Sequence, residues 1–230
     1  MEINGNGRKI VIYGGNGFVG CKVAECLANA GAEVVCVSRT GEKPAHLQDS
    51  EWADNVAWVK GDASEPELAL LQDTDALICV IGSPPIPAVG KEAYDRQVFT
   101  NGVTNSRAIT AAGDAGINRI VLLGAKIPAF LDGDWFGYAK GKRLALAAAR
   151  EFSQLSEEHS AVVLQPGAIF GKRHTASGTE IPIDLVMRPL SQVLGSQLVS
   201  VEKVAGRIAA EALATSEQPQ SLNIIKHADI

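Results

Sequence analysis

Short, unbroken apolar runs recur along the first two thirds of the chain, and longer stretches with helical spacing of apolar residues separate them. Runs that do not alternate with polar residues are typical of parallel strands buried on both faces. In the first separating stretch, Val19, Val23 and Leu27 lie on one face of a predicted helix. Strands are predicted at 9–13, 33–38, 56–60, 76–81, 119–123 and 161–164.

Further helices are predicted at 92–115 and 138–152, between the later strands. Alternation of strand and helix produces right-handed crossovers. The fold class is therefore predicted as α/β, with a doubly wound parallel sheet of the Rossmann type and strand order 3-2-1-4-5-6.

The pattern changes after Pro166. Residues 166–199 carry glycine, proline and serine around an apolar helix candidate at 183–194. A strand at 199–201, a helix at 202–214 and a strand at 222–225 are predicted to follow. The chain is thus expected to divide into a Rossmann core, 1–165, and a small C-terminal cap, 166–230, lying over the carboxyl ends of the strands.

A glycine-rich loop directly follows the first predicted strand and opens the first helix. Glycines permit a tight turn and let the backbone approach a pyrophosphate, which the free N–H groups of the helix N-terminus then bind. The alternative, a merely structural tight turn, fits this context less well. The predicted pyrophosphate-binding residues are Gly14, Gly15, Asn16, Gly17, Phe18, Val19 and Gly20.

The end of the second strand favours NADP(H) over NAD(H). NAD-binding sites usually place an Asp or Glu there to hold the ribose hydroxyls. This chain has Ser38 and Arg39 instead, with Lys43 nearby. A guanidinium binds a 2′-phosphate through charge-assisted hydrogen bonds, whereas a carboxylate repels it. The alternative is that Arg39 is an ordinary solvated side chain.

Two further loops are candidates for the cofactor site. Asp62 and Ala63 follow the third strand, where a carboxylate can accept a hydrogen bond from the adenine amino group. Helix capping is an equally good interpretation of Asp62, because Glu65 stands three residues on. Gly82 follows the fourth strand and lets that loop pass close to the cofactor.

Tyr138 and Lys142 are spaced i, i+4 and therefore share one face of a helix. A cation beside the phenol in a partly desolvated pocket favours the phenolate. Lowering the pKa by about two to three units takes about 3–4 kcal/mol of differential interaction. Such a pair can exchange a proton with a carbonyl or alcohol while hydride moves to or from a nicotinamide. A surface lysine beside a packed tyrosine is the alternative.

At this point the chain resembles the extended and atypical short-chain dehydrogenase/reductases over nearly its whole length. It is more narrowly similar to the group that includes the mitochondrial complex I accessory subunit, ubiquinone-synthesis proteins and plant plastoglobule proteins. The last of these is closest at GYAKGKR (137–143) and PGAIFGKR (166–173). The resemblance rests on GGNGFVG (14–20), GDAS (61–64), FTNGVTNSRAITAA (99–112), YAKGK (138–142), LQPGAIFG (164–171) and VSVEKVAGRIAAEAL (199–213).

The resemblance implies roles for individual residues. Tyr138 would be the acid/base, and Lys142 the ribose ligand that tunes its pKa. Asn101 would be a structural or proton-relay residue of the catalytic set, and Pro166 would lie at the cofactor. It also implies a plastid or a mitochondrion as the compartment, or the cytoplasm if no targeting peptide has been removed.

The chain departs from the family at one catalytic position. Members carry a Ser or Thr just after the fifth strand, whereas this chain has Gly124, Ala125 and Lys126 there. Losing one donor to a developing oxyanion typically costs about 2.7–4 kcal/mol. Lys126 is one candidate substitute; a weak enzyme, or a protein that binds cofactor without turnover, is the other reading.

The composition of the chain argues against several classes of binding partner. The net charge of −5, from 21 basic and 26 acidic residues, argues against a nucleic-acid footprint. The four histidines are scattered, which argues against a metal site. The four cysteines lack CxxC spacing and are expected to be buried, reduced thiols. No run of eighteen apolar residues predicts a membrane span.

An apolar, lipid-like substrate is suggested by two segments. Trp135 and Phe136 could form a wall for a flat substrate, with ordinary packing as the alternative. The segment 181–199 is apolar except for Asp184 and Arg188, and suits a substrate lid, a peripheral membrane contact or a packed cap helix. Two functions follow: an NADP(H)-dependent oxidoreductase for an apolar or prenylquinone-type substrate, or a non-catalytic NADPH-binding module of a lipid- or quinone-synthesis assembly.

Overall fold

A central sheet of seven parallel strands organises the chain in the computed structural model, which describes residues 4–174, 180–181, 198–214 and 221–230. The strands of this sheet are β1 (Lys9–Tyr13), β2 (Glu33–Ser38), β3 (Val56–Lys60), β4 (Ala76–Cys79), β5 (Arg119–Leu123), β6 (Ser160–Gln165) and β11 (Ser221–Lys226). Four short strands lie outside it: β7 (Ala168–Phe170), β8 (Arg173–His174), β9 (Glu180–Ile181) and β10 (Leu198–Ser200). β7 pairs with β10, and β8 pairs with β9.

Helices cover both faces of the sheet. They are α1 (Phe18–Asn29), α2 (Glu51–Asp54), α3 (Lys91–Val98), α4 (Thr104–Asp114), α5 (Gly137–Phe152) and α6 (Val201–Leu213). Short 3-10 turns occur at Ala45–Leu47, Leu68–Leu71 and His227–Asp229. Within the described part of the chain, no helix combines the length and apolarity needed to cross a membrane.

The strand order is β11-β6-β5-β4-β1-β2-β3, and every pairing in the sheet is parallel. The predicted α/β class and the order 3-2-1-4-5-6 are confirmed. β1 lies between β2 and β4, with Ile10 paired to Val34 on one side and to Ala76 on the other. The glycine loop therefore leaves the sheet at the point where the strand order reverses, which is where open α/β sheets bind ligands.

The end of the chain differs from the prediction. β11 was expected within the cap, but it extends the central sheet as the edge strand beside β6. α6 likewise packs on α1 across one face of the sheet, where Val204 and Ile208 are fully buried with Leu27. These elements bury apolar faces against the core, instead of lying over the carboxyl ends of the strands. The predicted helix at 183–194 lies outside the described residues, and the division at residue 165 stays a prediction.

Alternate residues of β1 enter the two halves of the core. Ile10 and Ile12 pack on the side of α1 and α6, and Val11 and Tyr13 pack on the side of α4 and α5. This two-sided burial explains why the strand sequences are apolar throughout. The thiols of Cys36 and Cys79 are buried in these layers. That of Cys21 is buried in a smaller cluster with Leu47 and Ala53, and that of Cys26 is half-buried.

The helix predicted at 92–115 is interrupted. A single π-helical turn, Phe99–Val103, separates α3 from α4. Such a turn inserts an extra residue into the helix and often marks a functional site. Asn101, in the middle of it, has a fully buried side chain.

Candidate active site

The glycine loop forms a close turn between β1 and α1. Gly14 adopts φ +87°, a conformation that side-chain-bearing residues rarely take. A Cβ on Gly20 would lie 2.1 Å from the carbonyl oxygen of Gly14, so only glycine lets α1 begin this close to the strand. Gly17 precedes the helix without a side-chain cap, which leaves the first N–H groups of α1 available to an anion.

A cleft of about 560 Å³ opens over this loop at the carboxyl edge of the sheet. It brings together much of the predicted cofactor set: Gly14, Asn16, Gly17, Ser38, Arg39, Asp62, Ala63 and Gly82. Gly15, Val19 and Gly20 are buried beneath it, and Phe18 lines a neighbouring cavity instead. Sequence reasoning missed Arg96, Phe99, Thr100 and Thr104, which line the cleft from α3, the π turn and α4.

Arg39 differs from its basic neighbour in the charges around it. The Arg39 side chain is exposed on the cleft and makes no hydrogen bond or ion pair with the described residues. Lys43, in contrast, binds the Asp54 carboxylate at 2.7 Å and the Gln48 carbonyl at 3.1 Å. Arg39 is therefore the cation at the end of β2 that is available to a bound phosphate.

Asp62 closes a turn rather than capping a helix. Its Oδ1 accepts hydrogen bonds from the backbone N–H of Ser64 at 2.8 Å and from the Ser64 hydroxyl at 2.7 Å. These two bonds, with a smaller effect from the charge of Arg39, hold the pKa of Asp62 below its usual range. No helix begins at Asp62, so the capping alternative is wrong, and an ionised carboxylate lines the cleft.

Tyr138 and Lys142 lie one turn apart on α5, as their spacing predicts. The Lys142 side chain is buried, and its Nζ donates a hydrogen bond to the Leu123 carbonyl at 2.8 Å. The same Nζ lies 5.7 Å from the centroid of the Tyr138 ring. A surface lysine is therefore excluded.

The expected activation of Tyr138 is absent from the free protein. Burial raises the pKa of Tyr138 to about 12 and lowers the pKa of Lys142 to about 8. Desolvation penalises the charged form of each group, and the Lys142 ammonium is directed at a carbonyl oxygen. The expectation of a lowered tyrosine pKa is wrong for this state, because desolvation of the phenol determines the direction of the shift.

The loop after β4 approaches the same pair of residues. A Cβ on Gly82 would lie 3.1 Å from Asn101 Oδ1 and 3.5 Å from Lys142 Nζ. Asn101 Oδ1 accepts a hydrogen bond from the Ser83 N–H at 3.1 Å, and its Nδ2 donates to Ser83 Oγ at 2.8 Å. The predicted residues Gly82, Asn101 and Lys142 are thus brought together. Sequence reasoning missed Ser83, whose only signal is its place beside Gly82.

A family model described as NAD(P)H-binding matches residues 14–205, which include both the glycine loop and the Tyr138–Lys142 helix. The chain belongs to this NAD(P)H-binding family. An uncharacterised chloroplastic protein of Arabidopsis thaliana is 37% identical over 193 residues, covering 82% of this chain and 59% of that protein. The chain thus spans less than two thirds of that relative. The MIOREX complex component 2 of Saccharomyces cerevisiae is 36% identical over 61 residues, covering 26% of this chain and 22% of that protein.

Solved structures of low sequence identity share the fold. A short-chain type dehydrogenase/reductase from Mycobacterium marinum superposes with a TM-score of 0.72 at 19% identity, covering 98% of this chain and 96% of its own. A variant of ElxO with NADPH bound gives 0.71 at 14% identity, with coverages of 96% and 98%. The UDP-glucuronic acid 4-epimerase of Bacillus cereus in complex with NAD gives 0.68 at 17%, with coverages of 95% and 76%.

The NAD(P)H-binding family's cofactor fits the residues present. The loop has a cradle at Gly14 and Gly20 that a Cβ would fill, and the first turn of α1 has uncapped N–H groups. Asp62 and the unpaired Arg39 line the cleft above it. These groups match the chemistry of an adenine and a pyrophosphate.

The loop after β5 offers no hydroxyl in this NAD(P)H-binding protein. The Gly124 N–H donates to the Leu164 carbonyl at 2.8 Å, and the Lys126 N–H donates to the Pro166 carbonyl at 2.7 Å. These bonds fasten the loop to the end of β6. Pro166 is buried there, and its place at the cofactor stays a prediction. The Lys126 side chain lines a separate groove with Phe170 and Lys203.

Trp135 and Phe136 have different environments. Phe136 is 1% exposed and packs 5.6 Å from the Tyr138 ring, so it is a core residue. Trp135 is 60% exposed and stacks on Phe136. Of the two, only Trp135 can meet a substrate. The apolar segment 181–199 lies mostly outside the described residues.

Two histidines predicted as scattered are in contact. The rings of His46 and His174 stack with centroids 4.0 Å apart, beside Asn16. Burial, with a smaller contribution from the charge of His174, lowers the pKa of His46. Among the described residues, no group of three or more His, Cys, Asp or Glu side chains is arranged to hold a metal ion.

Proposed function

We propose that this protein is an NADP(H)-dependent oxidoreductase that interconverts a carbonyl and an alcohol, or a quinone and its hydroquinone, on an apolar substrate. The observation that carries the proposal is the buried Lys142, whose Nζ lies over Tyr138 and within reach of the loop at Gly82. A buried cation beside a phenol, next to a dinucleotide cleft, suits proton exchange coupled to hydride transfer.

NADP(H) is proposed over NAD(H) because of Arg39. A free guanidinium on the cleft gains charge-assisted bonds from a 2′-phosphate. Neighbours of the same fold bind NAD or NADPH, so the preference rests on this residue alone.

The chain's own residues then handle the proton. NADP(H) supplies or accepts the hydride when it is bound. In the reduction direction Tyr138 gives its phenolic proton to the substrate oxygen, and Lys142 stabilises the tyrosinate that remains. Because cofactor and substrate exclude water, the attraction between that tyrosinate and the ammonium is stronger than in the open cleft.

The apolar substrate is supported by exposed side chains on two loops near the site. Ile86 and Val89 are 66% and 93% exposed, and Phe130 and Trp135 are 79% and 60% exposed. Both loops are fastened to α3: Gln97 donates a hydrogen bond to the Ile86 carbonyl, and Tyr94 donates to the Asp134 carbonyl. Since Tyr94 and Gln97 share one helical face, the loops lie side by side and offer hydrophobic contact to parts of the substrate remote from the reaction.

The test measures NADPH oxidation at 340 nm with two acceptors, a benzoquinone that carries a decyl chain and a small soluble ketone. The proposal predicts turnover of the quinone and little of the ketone. Rapid reduction of the ketone contradicts the apolar specificity, and absence of turnover with both contradicts an enzymatic role.

A second candidate function is an NADPH-binding module without catalysis. It is favoured by the absence of a hydroxyl at 124–126, and by one relative that is named as a component of a complex. Tight NADPH binding without turnover, together with co-purification of a stable partner, would support it. A plastid is proposed as the compartment because one relative is named as chloroplastic, and a mitochondrion is the alternative that the family resemblance implies. A fluorescent fusion of the full-length protein tests this.

A further inference from the structure

Ser83 lies in the loop after β4, next to Gly82, where that loop approaches Lys142. We propose that the Ser83 hydroxyl donates the hydrogen bond to the reacting substrate oxygen that the loop after β5 cannot supply, and that Asn101 is the positioning residue that holds Ser83. This assignment rests on the proposed oxidoreductase function and adds a catalytic residue to it.

Asn101 forms two hydrogen bonds with Ser83. Its Oδ1 accepts from the Ser83 N–H at 3.1 Å, and its Nδ2 donates to Ser83 Oγ at 2.8 Å. The second hydrogen of Nδ2 goes to the Gln97 carbonyl at 2.9 Å. An amide that binds both the backbone and the side chain of one residue fixes the rotamer of that side chain. The pair therefore presents one hydroxyl in one orientation.

A second buried amide holds the same loop. Asn105 Nδ2 lies 3.1 Å from the Ile81 carbonyl and 3.0 Å from the Asn101 carbonyl. It thereby ties the end of β4 to the π turn, whose extra residue leaves backbone carbonyls in need of donors. Both asparagines are fully buried, so the Ile81–Ser83 loop rests on a rigid support.

The direction of these bonds leaves the Ser83 proton available. Because Asn101 Nδ2 donates to Ser83 Oγ, that bond uses a lone pair of the oxygen and not its hydrogen. The acceptor found for the hydrogen is the Pro84 carbonyl, at a long 3.5 Å. A half-buried hydroxyl with so weak an acceptor is ready to donate to a ligand.

The location agrees with this role. Ser83 follows Gly82, where a Cβ would lie 3.1 Å from Asn101 Oδ1 and 3.5 Å from Lys142 Nζ. At the position where related enzymes carry their serine, the N–H groups of Gly124 and Lys126 are already bonded to the carbonyls of Leu164 and Pro166. That loop therefore provides neither a hydroxyl nor these two N–H groups to a substrate.

In the proposed step, a ketone receives the hydride at its carbonyl carbon and the electron pair of the C=O π bond passes to its oxygen. A quinone receives the hydride at one of its oxygens, and the displaced π electrons pass through the ring to its second oxygen, where the negative charge grows. The oxygen takes the proton of Tyr138, and the tyrosinate later regains a proton from water. Ser83 keeps its own proton throughout and donates a hydrogen bond that strengthens as negative charge grows on the oxygen.

The test uses Ser83→Ala, with Ser106→Ala as the control because Ser106 is also half-buried and bonded to a carbonyl, on α4. The rate of quinone reduction by NADPH is measured. The affinity for the decyl benzoquinone is measured separately by equilibrium dialysis with the protein in complex with NADP⁺, which cannot reduce the quinone. Ser83→Ala is expected to lower kcat about 100-fold and to weaken quinone binding about 3- to 10-fold. The Kd for NADPH should change less than about twofold, and Ser106→Ala should match the wild type.

Two further variants separate catalysis from structure. Ala125→Ser in the Ser83→Ala background should recover part of kcat, because it restores a hydroxyl at the family's position. Asn101→Ala should lower kcat, and the double variant with Ser83→Ala should fall no further than Ser83→Ala alone. If Asn101 had a purely structural role, the loss of kcat caused by Asn101→Ala would instead add to the loss caused by Ser83→Ala.

The outcomes distinguish this assignment from the proposed function. If the wild type reduces the quinone and Ser83→Ala retains its kcat and its quinone affinity, Ser83 is excluded while the enzyme stands. If the wild type does not turn over, weaker dialysis binding in Ser83→Ala still supports the contact. Unchanged binding, or no binding by either protein, overturns it.

Discussion

Lys142 Nζ lies 2.8 Å from the carbonyl oxygen of Leu123, the last residue of β5. The bond holds a buried ammonium at the carboxyl edge of the sheet, and burial lowers the pKa of Lys142 to about 8. An unfolded lysine titrates near pH 10.4. The folded protein therefore binds fewer protons than the unfolded chain between about pH 8 and pH 10.4.

The free energy of unfolding should accordingly rise with pH across that interval, because the cost of burying the charge disappears as Lys142 loses its proton. We expect the difference between wild type and Lys142→Met to change by up to about 3 kcal/mol. Urea denaturation at a series of pH values measures it. Lys126→Met, which replaces an exposed lysine, is the control, and its free energy of unfolding should change with pH as that of the wild type does.

Arg39→Ala should weaken NADPH binding by about 1–3 kcal/mol and leave NADH binding unchanged, since only NADPH carries the 2′-phosphate. Fluorescence titration of both nucleotides tests this. Lys43→Ala is a matched control, because Lys43 is already paired with Asp54. An equal loss of both nucleotides in Arg39→Ala would remove the arginine from the phosphate site.

Tyr138→Phe should abolish quinone reduction and leave the Kd for NADPH within about twofold, because only the proton donor is lost. In contrast, Lys142→Met should both slow quinone reduction and weaken NADPH binding, since Lys142 is also proposed as a ribose ligand. Steady-state rates and nucleotide titrations on the same preparations give the comparison. Full activity in Tyr138→Phe would transfer the proton donor role to another group.

Gly20→Ala should destabilise the fold by about 1–3 kcal/mol and eliminate nucleotide binding. Its Cβ would meet the Gly14 carbonyl oxygen at 2.1 Å, so the loop would have to open. Gly206→Ala is the control: it lies in α6 with nothing within 4 Å and should raise stability by about 0.5–1 kcal/mol. Thermal melts with and without NADPH distinguish the two.

The sheet could be predicted because its signal is local. Each of the strands β1 to β6 is an apolar run that can be recognised from the sequence alone. The neighbours of each strand then follow from the right-handed crossover rule. The place of β11 in the sheet was harder to predict. It is also an apolar run, but it follows a stretch that no longer shows the regular alternation of strand and helix. Nothing in Ser221–Lys226 itself says that it pairs with Ser160–Gln165 rather than with a separate cap.

The site was predictable as a set of residue types but not as a network. Spacing places Tyr138 above Lys142, yet the pKa of the tyrosine depends on the balance between burial and charge, which spacing does not report. The contact of Ser83 with Asn101 joins residues 18 positions apart and depends on a π turn within what the sequence presents as one helix.

The packing of α6 on α1 has a consequence for synthesis on the ribosome. The apolar face of α1, the helix that follows the nucleotide loop, is covered by residues translated about 180 positions later. A nascent chain that has already produced the glycine loop, Tyr138 and Lys142 still exposes that face, along with the edge of β6. Such exposed surfaces favour aggregation, and these two stay uncovered until residues 201–226 have left the exit tunnel.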